Sequence, residues 1–272
     1  MVKTVLITGT SSGIGQETAR LFQSRGWNVV ATMRTPESEA ELTGLGNVRV
    51  LRLDVTDEGS IRDAVAEGVS AFGTIDVLVN NAGFGAFGPL EATPLATIRE
   101  QFSTNVVGVL ATTQAVLPHM RARRQGIIVN ISSIGGRIGF PLGSLYHGSK
   151  FAVEGLSEAL SYELAAIGIR VKLVEPGMTQ TDFSGRSIRF SDDPGLADYR
   201  EVVANFGAGY AAISDTPPAE PYEVAQTIFA AATDGTDKLR YATGRDAAKL
   251  LERRQREDDA TFSAFLREAF RI

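Results

Sequence analysis

The chain has 272 residues, 43% of them hydrophobic and 22% charged, so it can bury the core of one large domain or two small ones. It has no cysteine, which excludes disulfides, thiolate metal sites and cysteine nucleophiles. The 27 basic and 32 acidic side chains give a formal charge of −5, which argues against a broad basic surface for nucleic acid.

Short β-branched runs alternate with longer amphipathic segments, a pattern typical of βα units around a parallel sheet. The runs predict seven strands, at residues 4–8, 28–33, 48–54, 77–80, 126–132, 169–175 and 239–243. Helical periodicity is found at residues 13–25, 58–72, 95–120, 145–166 and 221–233. Because most strands are continuous Val, Ile and Leu, helices should cover both faces of the sheet. The sequence predicts one doubly wound α/β domain.

Two regions depart from this alternation. Residues 182–220 form a long connection with scattered aromatic residues, typical of a substrate-binding loop or lid. Residues 246–272 are predicted to form a charged amphipathic helix that packs on the body, with a subunit contact as the alternative. We therefore expect a dinucleotide-binding and catalytic domain over residues 1–245, followed by a helical extension.

A glycine-rich turn joins the first strand to the first helix. Gly9 allows a sharp turn off the strand, Gly13 allows the backbone to approach a pyrophosphate, and Gly15 allows close packing of helix on sheet. The helix N-terminus then offers N–H groups to phosphates. The predicted nucleotide contacts in this turn are Gly9, Ser11, Ser12, Gly13, Ile14 and Gly15.

The end of the second strand indicates which nucleotide binds. It has no Asp or Glu that would accept hydrogen bonds from an adenosine ribose and repel a 2′-phosphate. Arg34 stands there instead and could pair with that phosphate. The sequence therefore predicts NADP(H), with a solvated surface charge as the alternative interpretation of Arg34.

Polar and small residues follow the third and fourth strands. Asp54 and Val55 are placed for contact with the adenine, and Asn81, Ala82 and Gly83 are placed to line the cofactor crevice. Each of these signals is weak alone, since Asp and Asn-Gly also form turns. They gain weight because ligands of such folds bind at the carboxyl ends of the strands.

Tyr146 and Lys150 stand four positions apart in a helical segment, so their side chains share one face. A nearby ammonium and the positive nicotinamide of an oxidised cofactor would favour phenolate and lower the tyrosine pKa. Ser133 ends the fifth strand and could hydrogen-bond a substrate carbonyl, with Ser132 as the near alternative. Asn105 is either a turn residue or an amide that holds a water linking Lys150 to solvent.

In this order these motifs resemble the single-domain short-chain dehydrogenase/reductase family, over residues 2 to about 245. The resemblance implies a Rossmann fold with a mostly parallel seven-stranded sheet and a catalytic tetrad of Asn105, Ser133, Tyr146 and Lys150. It also implies that Pro176, Gly177, Met178, Thr179 and Thr181 hold the nicotinamide carboxamide. Tyr146 and Lys150 would contact the cofactor as well, with Lys150 binding the nicotinamide ribose. Tyr146 would act as acid/base in hydride transfer between NADP(H) and a carbonyl compound or alcohol, as in hydroxysteroid and retinol dehydrogenases.

Aromatic residues in two groups predict a sizeable apolar substrate: Phe84, Phe87, Phe140, Leu142 and Leu145 flank the motifs, and Phe183, Phe190, Tyr199, Phe206 and Tyr210 lie in the long connection. The alternative is that these aromatic residues only pack the connection onto the core. Two other functions are considered: a non-catalytic NADP(H)-sensing protein, and a dehydratase or epimerase of the same superfamily.

No apolar run approaches the roughly 18 residues that span a bilayer, and no signal peptide is recognisable. We expect a cytoplasmic protein that binds no metal and no nucleic acid. The family resemblance implies a homodimer or homotetramer.

Overall fold

A computed structural model describes residues 2–181, 187–214 and 216–272. Within these ranges the strands are β1 (Thr4–Thr8), β2 (Asn28–Met33), β3 (Val48–Arg52), β4 (Val77–Asn80), β5 (Gly85–Phe87), β6 (Gly126–Ile131), β7 (Ile169–Pro176), β8 (Ile188–Phe190) and β9 (Arg240–Thr243). The helices are α1 (Gly13–Ser24), α2 (Glu58–Phe72), α3 (Leu95–Phe102), α4 (Gly108–Arg123), α5 (Ser144–Ala165), α6 (Arg200–Ala212), α7 (Pro221–Thr233), α8 (Arg245–Arg256) and α9 (Asp259–Phe270).

Seven of these strands form one parallel sheet in the order β3-β2-β1-β4-β6-β7-β9. The first strand shows why the sheet is covered on both faces. Val5 and Ile7 pack in one apolar cluster with residues of α1 and α7, while Leu6 between them packs in another with residues of α2, α4 and α5. Alternate side chains of a strand point to opposite faces, so the continuous apolar run is buried on both sides. The predicted doubly wound Rossmann fold is confirmed.

The direction of winding reverses between β1 and β4. The chain builds β2 and β3 on one side of β1, and then β4, β6, β7 and β9 on the other. In open α/β sheets, ligands bind outside the carboxyl ends of the strands at such a reversal. The glycine turn after β1 and the Asn81 segment after β4 both lie at this point.

Several predicted boundaries are wrong. The third strand ends at Arg52 instead of residue 54, because the Asp54 carboxylate accepts hydrogen bonds from the N–H and hydroxyl of Thr56 and turns the chain. The fifth strand ends at Ile131 instead of residue 132, and a short 3₁₀ turn follows. The helix predicted over residues 95–120 is interrupted by a π-helical segment, Ser103–Val107.

The region predicted as a loop contains regular structure. Strand β8 pairs with β5 in a small parallel sheet, and α6 follows.

The C-terminal tail, predicted as one helix, forms two helices, because the side chain of Asp258 caps a new helix by accepting the N–H of Thr261. Phe262 and Phe270 of this tail are buried in a third apolar cluster. Along the described part of the chain, no helix is long and apolar enough to cross a membrane.

Candidate active site

The glycine turn has the backbone that its sequence predicts. Gly9 and Gly13 have φ values of 73° and 57°, in the left-handed region that favours glycine. A Cβ at Gly9 would lie 2.9 Å from the Cα of Ala82, and a Cβ at Gly15 would collide with the carbonyl oxygen of Gly9. These close approaches require glycine on steric grounds at both positions.

The N-terminus of α1 is open to an anion. Its N-cap residue, Ser12, has extended backbone and its side chain makes no capping hydrogen bond. The first-turn N–H groups and the positive end of the helix dipole therefore remain available to a ligand. Ser11 is exposed beside this end, and Ile14 is half-buried.

Asn81 stabilises the glycine turn, a role that the sequence analysis did not predict. Its side-chain amide donates to the carbonyl oxygens of Thr8 and Gly9, both at 2.9 Å. The buried hydroxyl of Thr8 in turn accepts the N–H groups of Asn81 and Ala82, both at 3.0 Å. The segment after β4 thus fixes the glycine turn after β1. Asn81 affects the crevice through the position of that turn.

The residues predicted to contact the adenosine lie at the same edge of the sheet. Arg34 directly follows β2, is exposed, and forms no ion pair with any residue in the described ranges. The Asp54 carboxylate is used in its own turn, while a Cβ at Gly108 would collide with Val55, so Val55 packs tightly on α4. The Arg34 guanidinium is therefore available to a ligand, whereas the Asp54 carboxylate is already hydrogen-bonded within its own turn.

Ser133 and Tyr146 come together as predicted. Their hydroxyl groups are hydrogen-bonded to each other. Ser133 also accepts the N–H of Gly135 at 3.0 Å, which fixes its side chain at the start of the 3₁₀ turn after β6. Ser132, the near alternative, has a buried hydroxyl without a partner among the described residues and lies beside Gly136 and Glu154.

Burial raises the pKa of the Tyr146 hydroxyl above its ordinary value, and the hydrogen bond with Ser133 opposes part of this rise. In the protein alone, desolvation therefore outweighs the hydrogen bond with Ser133 and favours a neutral phenol. The lowered pKa that the sequence argument expects concerns the complex with oxidised cofactor, and it stays a prediction.

Lys150 lies on the same face of α5 as Tyr146, with its Nζ 5.9 Å from the centre of the tyrosine ring. This ammonium donates to the carbonyl oxygen of Ile131 at 2.8 Å. Burial lowers the pKa of Lys150 to about 8, and the negative charge of Glu154 opposes the change.

Asn105 lies in the π-helical segment, and its side chain is buried. Its amide nitrogen donates to the Phe84 carbonyl oxygen at 2.9 Å and to the Ser149 hydroxyl at 3.1 Å, and its oxygen accepts the Phe84 N–H. Both amide hydrogens are therefore used within the protein. The proposed water contact depends on the remaining lone pair of the Asn105 oxygen, and its role stays a prediction.

The segment after β7 is held from both sides. The N–H of Gly177 donates to Thr243 at the end of β9, and the N–H of Met178 donates to a carboxylate oxygen of Asp246 at 2.6 Å. On the other side, Met178 and Gln180 exchange backbone hydrogen bonds with Ala219, both at 2.8 Å. The last residue of the segment, Thr181, lies within van der Waals reach of a Cβ built on Gly13.

Aromatic rings pack together beside Tyr146. Phe87 lies 5.2 Å from the tyrosine ring and 5.8 Å from Phe206 of α6, measured between ring centres. Phe140 contacts Tyr210 of the same helix at 6.0 Å. Phe190 packs on Phe206 as well, whereas Tyr199 is hydrogen-bonded to Glu91 away from the cluster. The sequence also singled out Phe183, which lies outside the described residues.

His147, next to the tyrosine, is buried. Its Nδ1 is within hydrogen-bond distance of the Gly135 carbonyl oxygen at 2.9 Å, and burial lowers its pKa. A neutral ring with Nδ1 protonated donates this bond. The ring packs edge-on against Phe87 and Phe140. His147 therefore supports the aromatic lining and the turn that carries Ser133.

A family model described as short chain dehydrogenase matches residues 3–190. The chain belongs to the short-chain dehydrogenase family. Within that family it is 41% identical over 237 residues to an uncharacterized oxidoreductase of Schizosaccharomyces pombe, covering 85% of this chain and 97% of that protein. Estradiol 17-beta-dehydrogenase 1 of Rattus norvegicus is 36% identical over 289 residues, covering 98% and 81%. Retinol dehydrogenase 8 of Homo sapiens is 43% identical over 194 residues, covering 68% and 61%.

Solved structures of the family have the same fold. A short-chain dehydrogenase from Streptomyces avermitilis is 34% identical, with a TM-score of 0.82 and coverage of 98% of this chain and 96% of that one. A structure of ElxO with NADP bound is 31% identical, with a TM-score of 0.75 and coverage of 89% and 97%. Together with the family match, these similarities make the chain an oxidoreductase of this family.

Proposed function

We propose that this oxidoreductase uses NADP(H) to interconvert a carbonyl compound and an alcohol, with Tyr146 as the acid/base. The observation that carries the proposal is the hydrogen bond between the Ser133 and Tyr146 hydroxyls, with Lys150 one helical turn along α5. These groups follow β6 and begin α5, at the carboxyl edge of the sheet where a nucleotide would bind.

Features of the crevice fit a dinucleotide. The open N-terminus of α1 suits a pyrophosphate, and Gly13 has the positive φ that lets the backbone approach it. On the opposite side, the backbone N–H of Thr179 has no hydrogen-bond partner in the described part of the chain and suits a carboxamide oxygen. The bound cofactor would supply or accept the hydride. It would be held by Gly9, Ser11, Ser12, Gly13, Ile14, Gly15, Asn81, Ala82, Gly83, Pro176, Gly177, Met178, Thr179 and Thr181.

Proton transfer follows from the two hydroxyls. In the reduction direction, Tyr146 gives its proton to the substrate oxygen as negative charge develops there, while Ser133 donates a hydrogen bond to the same atom. The raised pKa of Tyr146 keeps the proton in place at neutral pH until that moment. The ammonium of Lys150 then stabilises the phenolate that remains.

Preference for NADP(H) over NAD(H) depends on Arg34. Its guanidinium is exposed at the end of β2, where no carboxylate would repel a 2′-phosphate. A planar guanidinium can bind a phosphate through two parallel hydrogen bonds. The NADP-bound relative supports the same preference.

We propose a sizeable apolar substrate. Phe87 packs beside Tyr146 and Phe206 packs on Phe87. His147 and Phe140 extend this apolar cluster, and a substrate cleft would lie along it. A cleft of this kind excludes water and gains affinity from apolar area. The names of two relatives, an estradiol and a retinol dehydrogenase, refer to alcohols of this class.

We also propose a homodimer or homotetramer. The π-helical segment and α5 carry large apolar side chains in solvent: Val107 is 57%, Phe151 48% and Tyr162 73% exposed. Exposed apolar residues along neighbouring helices favour association. Light scattering on the purified protein measures the mass, and a monomer at micromolar concentration would contradict this proposal.

The test of the reaction is a panel of carbonyl compounds, followed by absorbance at 340 nm with NADPH and NADH in separate assays. We expect carbonyl-dependent oxidation of NADPH, faster for large apolar ketones or aldehydes than for acetone. Product formation without net NADPH consumption would instead indicate a dehydratase or epimerase. Tight NADPH binding with no turnover of any compound would indicate a sensor.

A further inference from the structure

Asp246 places a buried carboxylate directly behind the segment that follows β7. Its side chain belongs to the first turn of α8, and the residue is only 2% exposed. One carboxylate oxygen accepts the backbone N–H of Met178 at 2.6 Å. This is a short, charge-assisted hydrogen bond, of the stronger kind in proteins.

Two glycines make room for this carboxylate. A Cβ at Gly177 or at Gly244 would collide with an oxygen of Asp246. Gly244 also has a φ of 101°, so glycine is favoured there on backbone grounds as well. The φ value of Gly177 does not favour glycine, so the reason for a glycine there is the collision that a Cβ would make with Asp246. The conformation of the Pro176-Gly177 pair at the end of β7 is therefore constrained by a residue of the C-terminal helices.

The hydrogen bond to Asp246 is one of two that hold the backbone of Met178, an arrangement we call the clamp. Ala219 donates its N–H to the Met178 carbonyl oxygen at 2.8 Å, while Asp246 accepts the N–H of Met178. The next N–H along the chain, that of Thr179, stays without a partner among the described residues. The clamp thus fixes the backbone next to a donor that remains available to a ligand.

An acid in the first turn of a helix commonly has a simpler role, because it interacts favourably with the helix dipole. Such a role needs no contact with another segment and favours an exposed side chain. Asp246 is buried instead, and its second oxygen has no hydrogen-bond partner among the described residues. Burying a carboxylate with one partner is costly, so the hydrogen bond to Met178 is the interaction that distinguishes this residue from an ordinary cap.

We propose that Asp246 is a positioning residue, which fixes the backbone of residues 176–181 so that the N–H of Thr179 can donate to the nicotinamide carboxamide. The inference rests on the proposed function. It extends the site across the boundary predicted at residue 245, because a residue of the helical extension orients the cofactor-binding backbone.

The test uses the variants Asp246→Ala and Asp246→Asn of the 272-residue chain, with Glu252→Ala as the matched control. Glu252 is an exposed acid on the same helix, so its removal changes charge equally without touching the segment. Hydrogen exchange of the peptide that contains Met178, and NADPH affinity measured by fluorescence, both report on the clamp without requiring turnover.

We expect Asp246→Ala to speed exchange of this peptide at least tenfold and to weaken NADPH binding about tenfold. Asp246→Asn keeps an acceptor oxygen without the negative charge, so it should change both properties in the same direction by about threefold; it therefore also serves as the test if the alanine variant does not fold. In the carbonyl assay, KM for NADPH should rise more than kcat falls. Exchange and affinity in folded Asp246 variants that match those of Glu252→Ala would overturn the proposal. Absence of carbonyl reduction by the wild type would count against the proposed function alone, since exchange and binding test the clamp separately.

Discussion

The Lys150 ammonium donates a hydrogen bond to the backbone carbonyl oxygen of Ile131, 2.8 Å away. Ile131 is the last residue of β6, and Ser133 follows two positions later. One strand end therefore anchors the cation of the proposed mechanism and carries the hydroxyl that would hold the substrate oxygen. Because burial lowers the pKa of Lys150 to about 8, the cation is present at neutral pH and is lost just above it.

The first prediction concerns pH. In the reduction direction, kcat/KM should fall as the pH rises through about 8, because Lys150 loses its proton while Tyr146, whose pKa is raised, still holds its own. Lys150→Arg should move this fall to higher pH, at a lower absolute rate, since a guanidinium stays protonated. A pH–rate profile of both proteins checks this. An unchanged alkaline limb in the arginine variant would assign it to another group.

The second prediction concerns cofactor choice. Arg34→Asp should weaken NADPH binding by roughly 10- to 100-fold, the effect of losing a charge-assisted contact of about 1.5–3 kcal/mol. Binding of NADH should hold or improve, because a carboxylate can accept hydrogen bonds from the ribose. Titration of both nucleotides measures the ratio. Arg25→Asp, an exposed position at the far end of α1, makes the same charge change and should leave the ratio as it is. NADPH affinity kept by Arg34→Asp would sink the assignment.

The third prediction tests the contact between β1 and β4. Thr8→Val preserves shape but leaves the partly buried N–H groups of Asn81 and Ala82 without their acceptor, which should lower the free energy of unfolding by roughly 1–3 kcal/mol. Thr18→Val removes an equally buried hydroxyl that only donates to a carbonyl within α1, and it should cost much less. Denaturant unfolding compares the two. Equal losses would show that the Thr8 hydroxyl has no special part in fixing the glycine turn.

The fourth prediction concerns the apolar cleft. Phe206→Leu removes the ring next to Phe87 and should reduce kcat/KM for a large apolar carbonyl compound roughly 10-fold more than for a small one. Phe265→Leu changes a ring of α9 that packs on Phe262 and makes no ring contact with Phe87 or Tyr146 in the described part of the chain, and it should affect both substrates alike. The ratio of the two specificity constants cancels a general loss of active protein. An unchanged ratio in Phe206→Leu would place the substrate elsewhere.

The fold was predictable where each segment contains its own signal. β1 is an uninterrupted apolar run, and this pattern requires burial on both faces wherever the strand lies. The π-helical segment has no such signal. Its extra residue is stabilised by the contact of Asn105 with the backbone of Phe84, which a helical periodicity cannot reveal.

In the site too, features with a local sequence pattern were predictable, and features that depend on contacts between distant segments were not. The glycine turn and the Tyr146–Lys150 pair are local patterns, and the sequence places them correctly on their elements. Helix α6 was missed because its packing depends on a distant partner: Gly209 lies against Phe270 of α9. Asp246 lies in the first turn of α8, two positions after Gly244, and an acid at such a position predicts only a favourable interaction with the helix dipole. Its contact with Met178 exists only in the folded chain.

The most direct measurement is a single-turnover experiment with Tyr146→Phe, loaded with NADPH and mixed with the best carbonyl substrate of the panel. We predict that NADPH affinity stays within about threefold of wild type, while the rate of hydride transfer falls by the 10²- to 10⁴-fold typical of losing a general acid. A variant that binds NADPH normally and oxidises it at a near-wild-type rate would contradict the assignment of Tyr146 as proton donor.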